Sequence, residues 1–203
     1  MKQKKVPSRK LRAIRRLLTA LIVVILANQV FHTAYFLPVQ VLRMQEELLG
    51  VGRTAVIQRQ WEPRVADAHG TYTVYFAGNE HVTLLKGVQL SFLQGWTGDL
   101  IRVLDCSRES PLYAGQFWKS CRDGSAVGYL FGRVDDPAIQ TVTISDGQQM
   151  LTISREDFIE QDGRTYFLMR DQDELRFVKN RYRSAHAWDR SGTLIAEIPI
   201  NLS

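Results

Sequence analysis

Residues 139–154 read IQTVTISDGQQMLTIS, and this stretch indicates the fold class of the chain. Within 141–144, threonines alternate with Val142 and Ile144, which is the side-chain period of a half-buried β-strand. Asp146-Gly147 follows, and this pair suits a type I′ turn, whose two central residues both have positive φ. The stretch therefore predicts an antiparallel β-hairpin.

Short segments of similar pattern continue on both sides of this hairpin, from residue 53 to the C-terminus. Turn signals such as Gly78-Asn79, Asp162-Gly163 and Ser191-Gly192 separate them. The predicted strands are 54–61, 71–76, 82–86, 88–93, 100–104, 126–131, 139–145, 149–154, 165–169, 175–179, 182–188 and 193–198. Many short strands without a long helical period are typical of an antiparallel β-sandwich or barrel. In the hairpin 182–198, alternation would place four side chains on one face: Tyr182, Ser184, His186 and Trp188.

The N-terminal part of the chain has a different composition. Residues 17–37 read LLTALIVVILANQVFHTAYFL, without a charged side chain, and the 16 residues before them contain eight Lys or Arg and no acid. A helix of that length would cross a hydrocarbon core of about 30 Å, and the basic flank would stay in the cytoplasm. The alternative is a cleaved signal peptide with its apolar region at 17–27. We favour the uncleaved anchor because apolar residues continue as far as Leu37.

The prediction is therefore a mainly β protein with one N-terminal transmembrane helix and an extracytoplasmic, antiparallel β-sandwich-like domain. Its segments are a basic cytoplasmic stub (1–16), the transmembrane helix (17–37), a juxtamembrane helical stalk (38–52) and the β domain (53–203). Pro38 suits the first turn of the stalk helix and Gly50 its end. The predicted location is the cell membrane, with the lipid bilayer as a partner.

Three polar residues interrupt the predicted span: Asn28, Gln29 and His32. Asn28 and His32 are four positions apart and share one helix face. They would either contact a transmembrane helix of another membrane protein or lie where water and headgroups reach them.

The charge distribution argues against a nucleic-acid partner. Residues 17–203 contain 18 Lys or Arg against 21 acids, so the net charge of +5 comes from the N-terminal stub. A domain with a slight excess of acids lacks the basic surface that nucleic-acid binding requires.

The two cysteines, Cys106 and Cys121, both fall in the predicted exterior domain. Outside the cytoplasm one disulfide is the favoured interpretation, and two free thiols are the alternative. Between them, Phe117, Trp118 and Lys119 would form the exposed tip of a functional loop.

Motifs that carry chemistry are missing from the sequence. We find no phosphate-binding glycine loop, no GxSxG, no zinc-ligand spacing and no calcium loop, so we expect neither a cofactor nor a metal. Arg181 and Arg183 would share one strand face near aromatic residues, where they would bind an anionic envelope polymer or lipid headgroups; the alternative is an ordinary solvated face. An enzyme with an unrecognised active site remains the alternative, and its candidate residues are His69, His81, His186, Asp105 and Asp123.

Three segments resemble one group of proteins: Gly95-Trp96, YLFGRVDDPAI at 129–139 and AWDRSGTLI at 187–195. The chain is similar here to small exported or membrane-anchored β-domain proteins of Bacillus- and Paenibacillus-type Gram-positive bacteria. The resemblance covers about residues 71–199 and implies a Gram-positive cell-surface setting, and it carries over no catalytic residue.

The function we expect is a membrane-anchored, extracytoplasmic binding or protein-interaction module. The alternatives are an envelope hydrolase and a subunit that associates with a membrane complex through its transmembrane helix.

Overall fold

The structure, a computed structural model, describes residues 9–31, 35–63, 65, 71–91, 95–121, 124–147, 150–171 and 182–200. This part of the chain contains two helices, α1 (Arg9–Phe31) and α2 (Pro38–Leu49). It also contains twelve strands: β1 (Ala55–Trp61), β2 (Tyr72–Gly78), β3 (Val82–Ser91), β4 (Gly95–Asp105), β5 (Leu112–Ser120), β6 (Ala126–Val134), β7 (Thr141–Ser145), β8 (Met150–Ser154), β9 (Ile159–Gln161), β10 (Arg164–Asp171), β11 (Ser184–Trp188) and β12 (Leu194–Pro199).

The strands form three four-stranded antiparallel sheets. The first sheet has the order β1-β2-β3-β4, the central sheet β5-β6-β10-β9 and the third sheet β12-β11-β7-β8. The mainly β, antiparallel fold class predicted from the sequence is confirmed. Asp162 and Gly163, a pair that the sequence marked only as a turn, both have positive φ and join β9 to β10 as a two-residue type I′ turn. The type I′ turn predicted at Asp146-Gly147 is wrong, because Gly147 has a positive φ but Asp146 does not, and β8 begins only at Met150.

Two cores lie on opposite sides of the central sheet. The first core contains Phe76 of the first sheet together with Phe131 and Tyr166 of the central sheet, and Phe76 meets both of these rings edge to face. The second core joins the central sheet, through Leu130 and Phe167, to side chains of the third sheet such as Ile144. The sheets are therefore stacked in the order first, central, third.

Strand β6 shows how the central position shapes the sequence. Eight of its nine residues are buried, because both of its faces are covered. Gly132 lies where Phe167 of β10 and the backbone of β5 approach, so that a Cβ there would come within 2.0 Å of the Tyr113 carbonyl oxygen. Glycine is required at this position because there is no space for a side chain; its backbone φ is one that other residues also adopt.

Helix α2 covers the outer face of the first sheet and is part of the folded unit, where the sequence predicted a separate stalk. Val41 and Leu42 are fully buried against Tyr75, Leu84 and other residues of that sheet. The buried Glu46 carboxylate accepts hydrogen bonds from Arg43 and from the Thr54 backbone N–H and hydroxyl, which fastens the helix to the start of β1. Gly50, in the left-handed conformation, ends the helix as predicted.

Helix α1 differs from the predicted span of 17–37. It begins in the basic segment at Arg9 and ends at Phe31, and Tyr35 already belongs to the β unit, where it bridges to Gly95 and Trp96. Within the residues that the structure describes, no helix combines the length and the apolar character needed to cross a membrane.

Most predicted strands are present, with three differences. β5 and β9 were not predicted, and the predicted strands 82–86 and 88–93 are one strand, β3, with a register shift between Lys86 and Val88. The predicted strand 175–179 lies outside the described residues.

Candidate functional site

The outer face of the third sheet is the candidate binding surface of the domain. Alternate side chains of its strands, such as Val142, Ile144 and Ala187, are fully buried in the second core, so the residues between them point outward. The strand register places Thr143 between Thr152 of β8 and His186 of β11. Six short hydroxyl side chains occupy outward positions, although Thr143 is itself buried: Thr141, Thr143, Ser145, Thr152, Ser154 and Ser184.

Trp188 is fixed on this face by a hydrogen bond to the neighbouring strand. Its indole Nε1 donates to Oγ1 of Thr143 at 2.8 Å. Because the acceptor lies on the sheet surface, the ring lies across the sheet, and Trp188 is half-buried. The sheet therefore presents an aromatic plane whose orientation is set before any ligand arrives.

His186 and Glu197 continue the surface toward the edge strand β12. His186 Nε2 lies 3.3 Å from Oε1 of Glu197, and the His186 ring centroid lies 6.2 Å from that of Trp188 at an interplanar angle of 37°. The Glu197 side chain is 61% exposed, so its carboxylate can accept hydrogen bonds from a ligand. An aromatic plane bordered by hydroxyls, an imidazole and a carboxylate is suited to a ligand with its own hydroxyl groups.

The prediction for the hairpin 182–198 is confirmed for three of its four shared-face residues. Ser184, His186 and Trp188 all belong to β11 and point outward. Tyr182 is the exception, because it precedes the strand and is buried in the second core, where its carbonyl accepts a hydrogen bond from Gln116 Nε2 at 3.3 Å.

Only one half of the predicted basic pair can be located. Arg183 is exposed at the start of β11, and its backbone N–H donates to the Ser145 carbonyl at 2.9 Å. Arg181 lies outside the described residues. A shared basic surface formed by the two arginines therefore stays a prediction.

Phe117, Trp118 and Lys119 do not form an exposed loop tip, and that expectation is wrong. All three belong to β5, where Phe117 is buried in the first core. Trp118 is half-buried, and the Lys119 ammonium forms an ion pair with Asp99 at 2.8 Å. Strand β5 pairs with β6 over its whole length, so the loop between the two cysteines is confined to residues 107–111 and does not include these three side chains.

The predicted disulfide between Cys106 and Cys121 is also wrong, since both are free thiols. The guanidinium of Arg133 links the Cys106 carbonyl to the Tyr113 ring at the start of β5, whereas Cys121 follows the end of that strand. Nine residues of strand span roughly 30 Å, whereas a disulfide needs Cα atoms within about 7 Å. Burial raises the pKa of the Cys106 thiol, so it is not an activated nucleophile.

Two carboxylates inside the molecule were not singled out from the sequence. Glu62, buried after β1, accepts hydrogen bonds from the Tyr129 hydroxyl and from Arg170 Nη2, the latter at 2.8 Å. Asp99 accepts one from the Tyr72 hydroxyl at 2.9 Å in addition to its ion pair with Lys119. Both carboxylates belong to the first-sheet side, and their cationic partners lie on the central sheet.

These carboxylates hold the two sheets together and keep two tyrosines protonated. Burial, and then the Glu62 carboxylate, raise the pKa of Tyr129 well above its ordinary value of 10.0. Burial, and then Asp99, do the same for the pKa of Tyr72. The partners of Glu62 are 67 and 108 positions away along the chain, so no local sequence pattern could reveal them.

Of the residues suggested for catalysis, those that the structure describes do not meet in a cleft, and His69 and Asp123 lie outside the described residues. His81 and Asp105 are exposed neighbours beside the β2–β3 turn, and His186 lies on the outer face of the third sheet. Within the described part of the chain, no group of three or more His, Cys, Asp or Glu residues could hold a metal ion. For the polar residues of the predicted span, Asn28 and Gln29 lie in α1 without described side chains, and His32 lies outside the described residues.

Comparison of the chain with family models, with curated proteins and with solved structures finds no match.

Proposed function

We propose that the protein is a single-pass, membrane-anchored binding module whose β domain lies outside the cytoplasm. The observation that carries the proposal is the surface of α1. From Leu17 to Leu26 every residue is exposed, and large apolar side chains occur on all sides of the helix, where a water-exposed helix would have a polar face. Lipid is the environment in which such a surface is stable.

The charges before this surface support the orientation. Arg9, Lys10, Arg12, Arg15 and Arg16 occupy the first two turns of α1, and three further lysines precede it. A short basic segment beside an apolar helix stays on the cytoplasmic side. The β domain would then lie on the opposite side, with its N-terminal helix α2 next to the membrane.

The proposed ligand surface is the outer face of the third sheet, and the proposed ligand is a glycan chain of the cell envelope. Sugar rings combine hydroxyl groups with an apolar C–H face, and Trp188 offers a fixed plane for that face. The hydroxyls of the exposed and half-buried serines and threonines on this face, together with His186 and Glu197, supply donors and acceptors around it. A protein interface would instead favour several large apolar anchors at its centre.

Anchoring and orientation can be tested in intact cells with the full chain. Arg9→Cys and Ser191→Cys each place an exposed thiol at one end of the proposed topology, and the parent chain, whose two thiols are buried, is the control. A maleimide that does not cross membranes should label Ser191→Cys in intact cells and Arg9→Cys only after lysis. The reverse pattern, or release of the chain from membranes by alkaline carbonate, would contradict the proposal.

Glycan binding can be tested with the full chain in detergent micelles. The probes are oligomers of N-acetylglucosamine and of glucose, with binding measured by isothermal calorimetry. Trp188→Ala should weaken binding about tenfold or more, as expected for the loss of one aromatic stacking contact. Trp61→Ala, on the first sheet, is the matched control and should bind like the parent chain. Equal losses in the two variants, or no binding of either oligomer, would contradict the glycan assignment.

A further inference from the structure

The β domain is fastened to the end of α1 by a very short connection. Phe31 is the last residue of α1, and the Trp96 backbone N–H donates to the Tyr35 carbonyl at 2.9 Å. Four Cα-to-Cα steps join Phe31 to Tyr35, and an extended chain of that length spans at most about 14 Å. The end of the first sheet that contains Trp96 must therefore lie close to the membrane surface if α1 is the anchor.

The surface that would meet the membrane carries exposed apolar side chains. Phe36 and Leu37 are 50% and 57% exposed, and Trp61 is 64% exposed. Leu90, which is 37% exposed, pairs with Trp96 across β3 and β4. Trp61 is the last residue of β1 and pairs with Thr73, which pairs with Val88 of β3. Val88 is two residues from Leu90, so Trp61 lies at the same end of the first sheet as Leu90 and Trp96.

We infer that this membrane-proximal patch, consisting of Phe36, Leu37, Trp61, Leu90 and Trp96, is seated in the headgroup region of the outer lipid leaflet. The inference rests on the proposed anchoring by α1 and adds a second membrane contact made by the β domain itself. Tryptophan and other aromatic residues are enriched at this depth because their rings are apolar and their edges are polar. The exposed Arg59 guanidinium, 5.8 Å from the Tyr75 ring centroid, lies two residues before Trp61 and is available to a lipid phosphate.

The seated domain would be held in one orientation toward the membrane. The turn that joins β2 to β3 lies at the opposite end of the first sheet, and there Arg133 of β6 donates hydrogen bonds to the Asn79 and Glu80 carbonyls. The third sheet packs on the side of the central sheet that faces away from the first sheet and its patch. The outer face of the third sheet would then extend away from the membrane, where an envelope ligand can reach it.

The four tryptophans permit a direct test with the full chain in lipid nanodiscs of phosphatidylcholine and phosphatidylglycerol. In one variant Trp61 is the only tryptophan and in the other Trp188 is, with the remaining three changed to phenylalanine. Lipids brominated near the headgroup end of the acyl chains quench tryptophans at the interface. Trp61 emission should fall about twofold or more on bromination, as expected for a side chain buried some 5–10 Å into the boundary region. Trp188 emission should stay unchanged.

Quenching of Trp61 to the same small extent as Trp188 would overturn the inference. Protease protection of α1 in the same discs separates the two possible failures. With α1 protected, an unquenched Trp61 refutes only the seating of the domain, whereas an unprotected α1 refutes the proposed anchoring. If a triple-phenylalanine variant does not fold, the parent chain and Trp61→Phe are compared instead. The bromine-sensitive part of the emission should then be smaller in Trp61→Phe, and an equal part in both would again overturn the inference.

Discussion

The central sheet and the third sheet have the same number of strands and the same antiparallel pairing, but they meet water differently. The central sheet packs on another sheet through each of its faces, so that eight of nine residues of β6 are buried. In β11 of the third sheet, Ala185 and Ala187 are buried and the alternating residues are half-buried. In the central sheet the side chain at almost every position must pack against another layer. In the third sheet the side chains of one face are not needed for packing and can bind a ligand.

This difference separates positions that determine stability from positions that determine binding. On the central sheet an added atom meets another layer, whichever way it points. At the exposed positions of the outer face of the third sheet, such as Thr152, an added or removed atom meets solvent. Substitutions in the central sheet should therefore lower the free energy of unfolding, whereas substitutions on the outer face of the third sheet should leave it almost unchanged. Three experiments test this contrast.

The largest effect is expected for Gly132→Ala in the central sheet. The new Cβ would come within 2.0 Å of the Tyr113 carbonyl oxygen and 2.4 Å of the Phe167 ring. Backbone and ring would both have to move, and overpacking of this kind costs about 3 kcal/mol or more. Urea denaturation of the full chain in micelles, followed by tryptophan fluorescence, measures the loss in the free energy of unfolding.

Thr152→Val is the matched control on the outer face of the third sheet. Thr152 is exposed and pairs with Thr143. A solvent-facing exchange of this kind should change the free energy of unfolding by no more than about 0.5 kcal/mol. Similar losses in both variants would show that the central sheet is not the more tightly packed of the two.

A smaller effect is expected for Tyr129→Phe, which removes the hydroxyl that the central sheet donates to Glu62. Leaving one oxygen of a buried carboxylate without its donor costs about 1–3 kcal/mol at neutral pH. The variant should also change the response to alkali. The pKa of Tyr129 is raised in the folded chain, so above pH 10 the unfolded chain releases this proton first, and stability falls as the pH increases.

Denaturation series from neutral pH to pH 11 test this expectation. The free energy of unfolding of the parent chain should decrease above pH 10, and that of Tyr129→Phe should decrease less. Part of the decrease that remains in Tyr129→Phe arises from Tyr72, whose pKa is also raised. His186→Phe on the third sheet is the control and should keep the alkaline slope of the parent chain. Equal slopes in the parent chain and in Tyr129→Phe would show that this hydroxyl does not stay protonated in the folded state.

The same contrast explains which elements could be predicted from the sequence. In β7 and β8 only one face packs on another sheet, so polar Thr141 and Thr143 alternate with apolar Val142. The sequence therefore predicts the two strands of this hairpin to within two residues. In β5 both faces are covered, and LYAGQFWKS does not alternate in hydrophobicity. That strand was missed, and its residues Phe117, Trp118 and Lys119 were assigned to a loop.

The candidate site was predictable only in part, for a related reason. Ser184, His186 and Trp188 share a face because they are alternate residues of one strand, and this spacing can be read from the sequence. The contact of Trp188 with Thr143 and that of Glu62 with Tyr129 join strands distant in the chain. Such contacts depend on the order in which strands pair, and neither composition nor local periodicity specifies that order.

The smallest effect is expected from a reducing agent, which acts on the two thiols at opposite ends of β5. A disulfide closing a loop of this size would contribute about 3 kcal/mol, equivalent to roughly 6–12 °C in the Tm of a domain of this length. Because Cys106 and Cys121 are free and buried, dithiothreitol should leave the Tm unchanged. Burial also raises the pKa of Cys106, so a thiol reagent should modify the native chain slowly and both cysteines rapidly in denaturant. A Tm that falls on reduction would mean that Cys121 approaches Cys106, which the extended β5 between them does not permit, and the assignment of this strand to the central sheet would then be wrong.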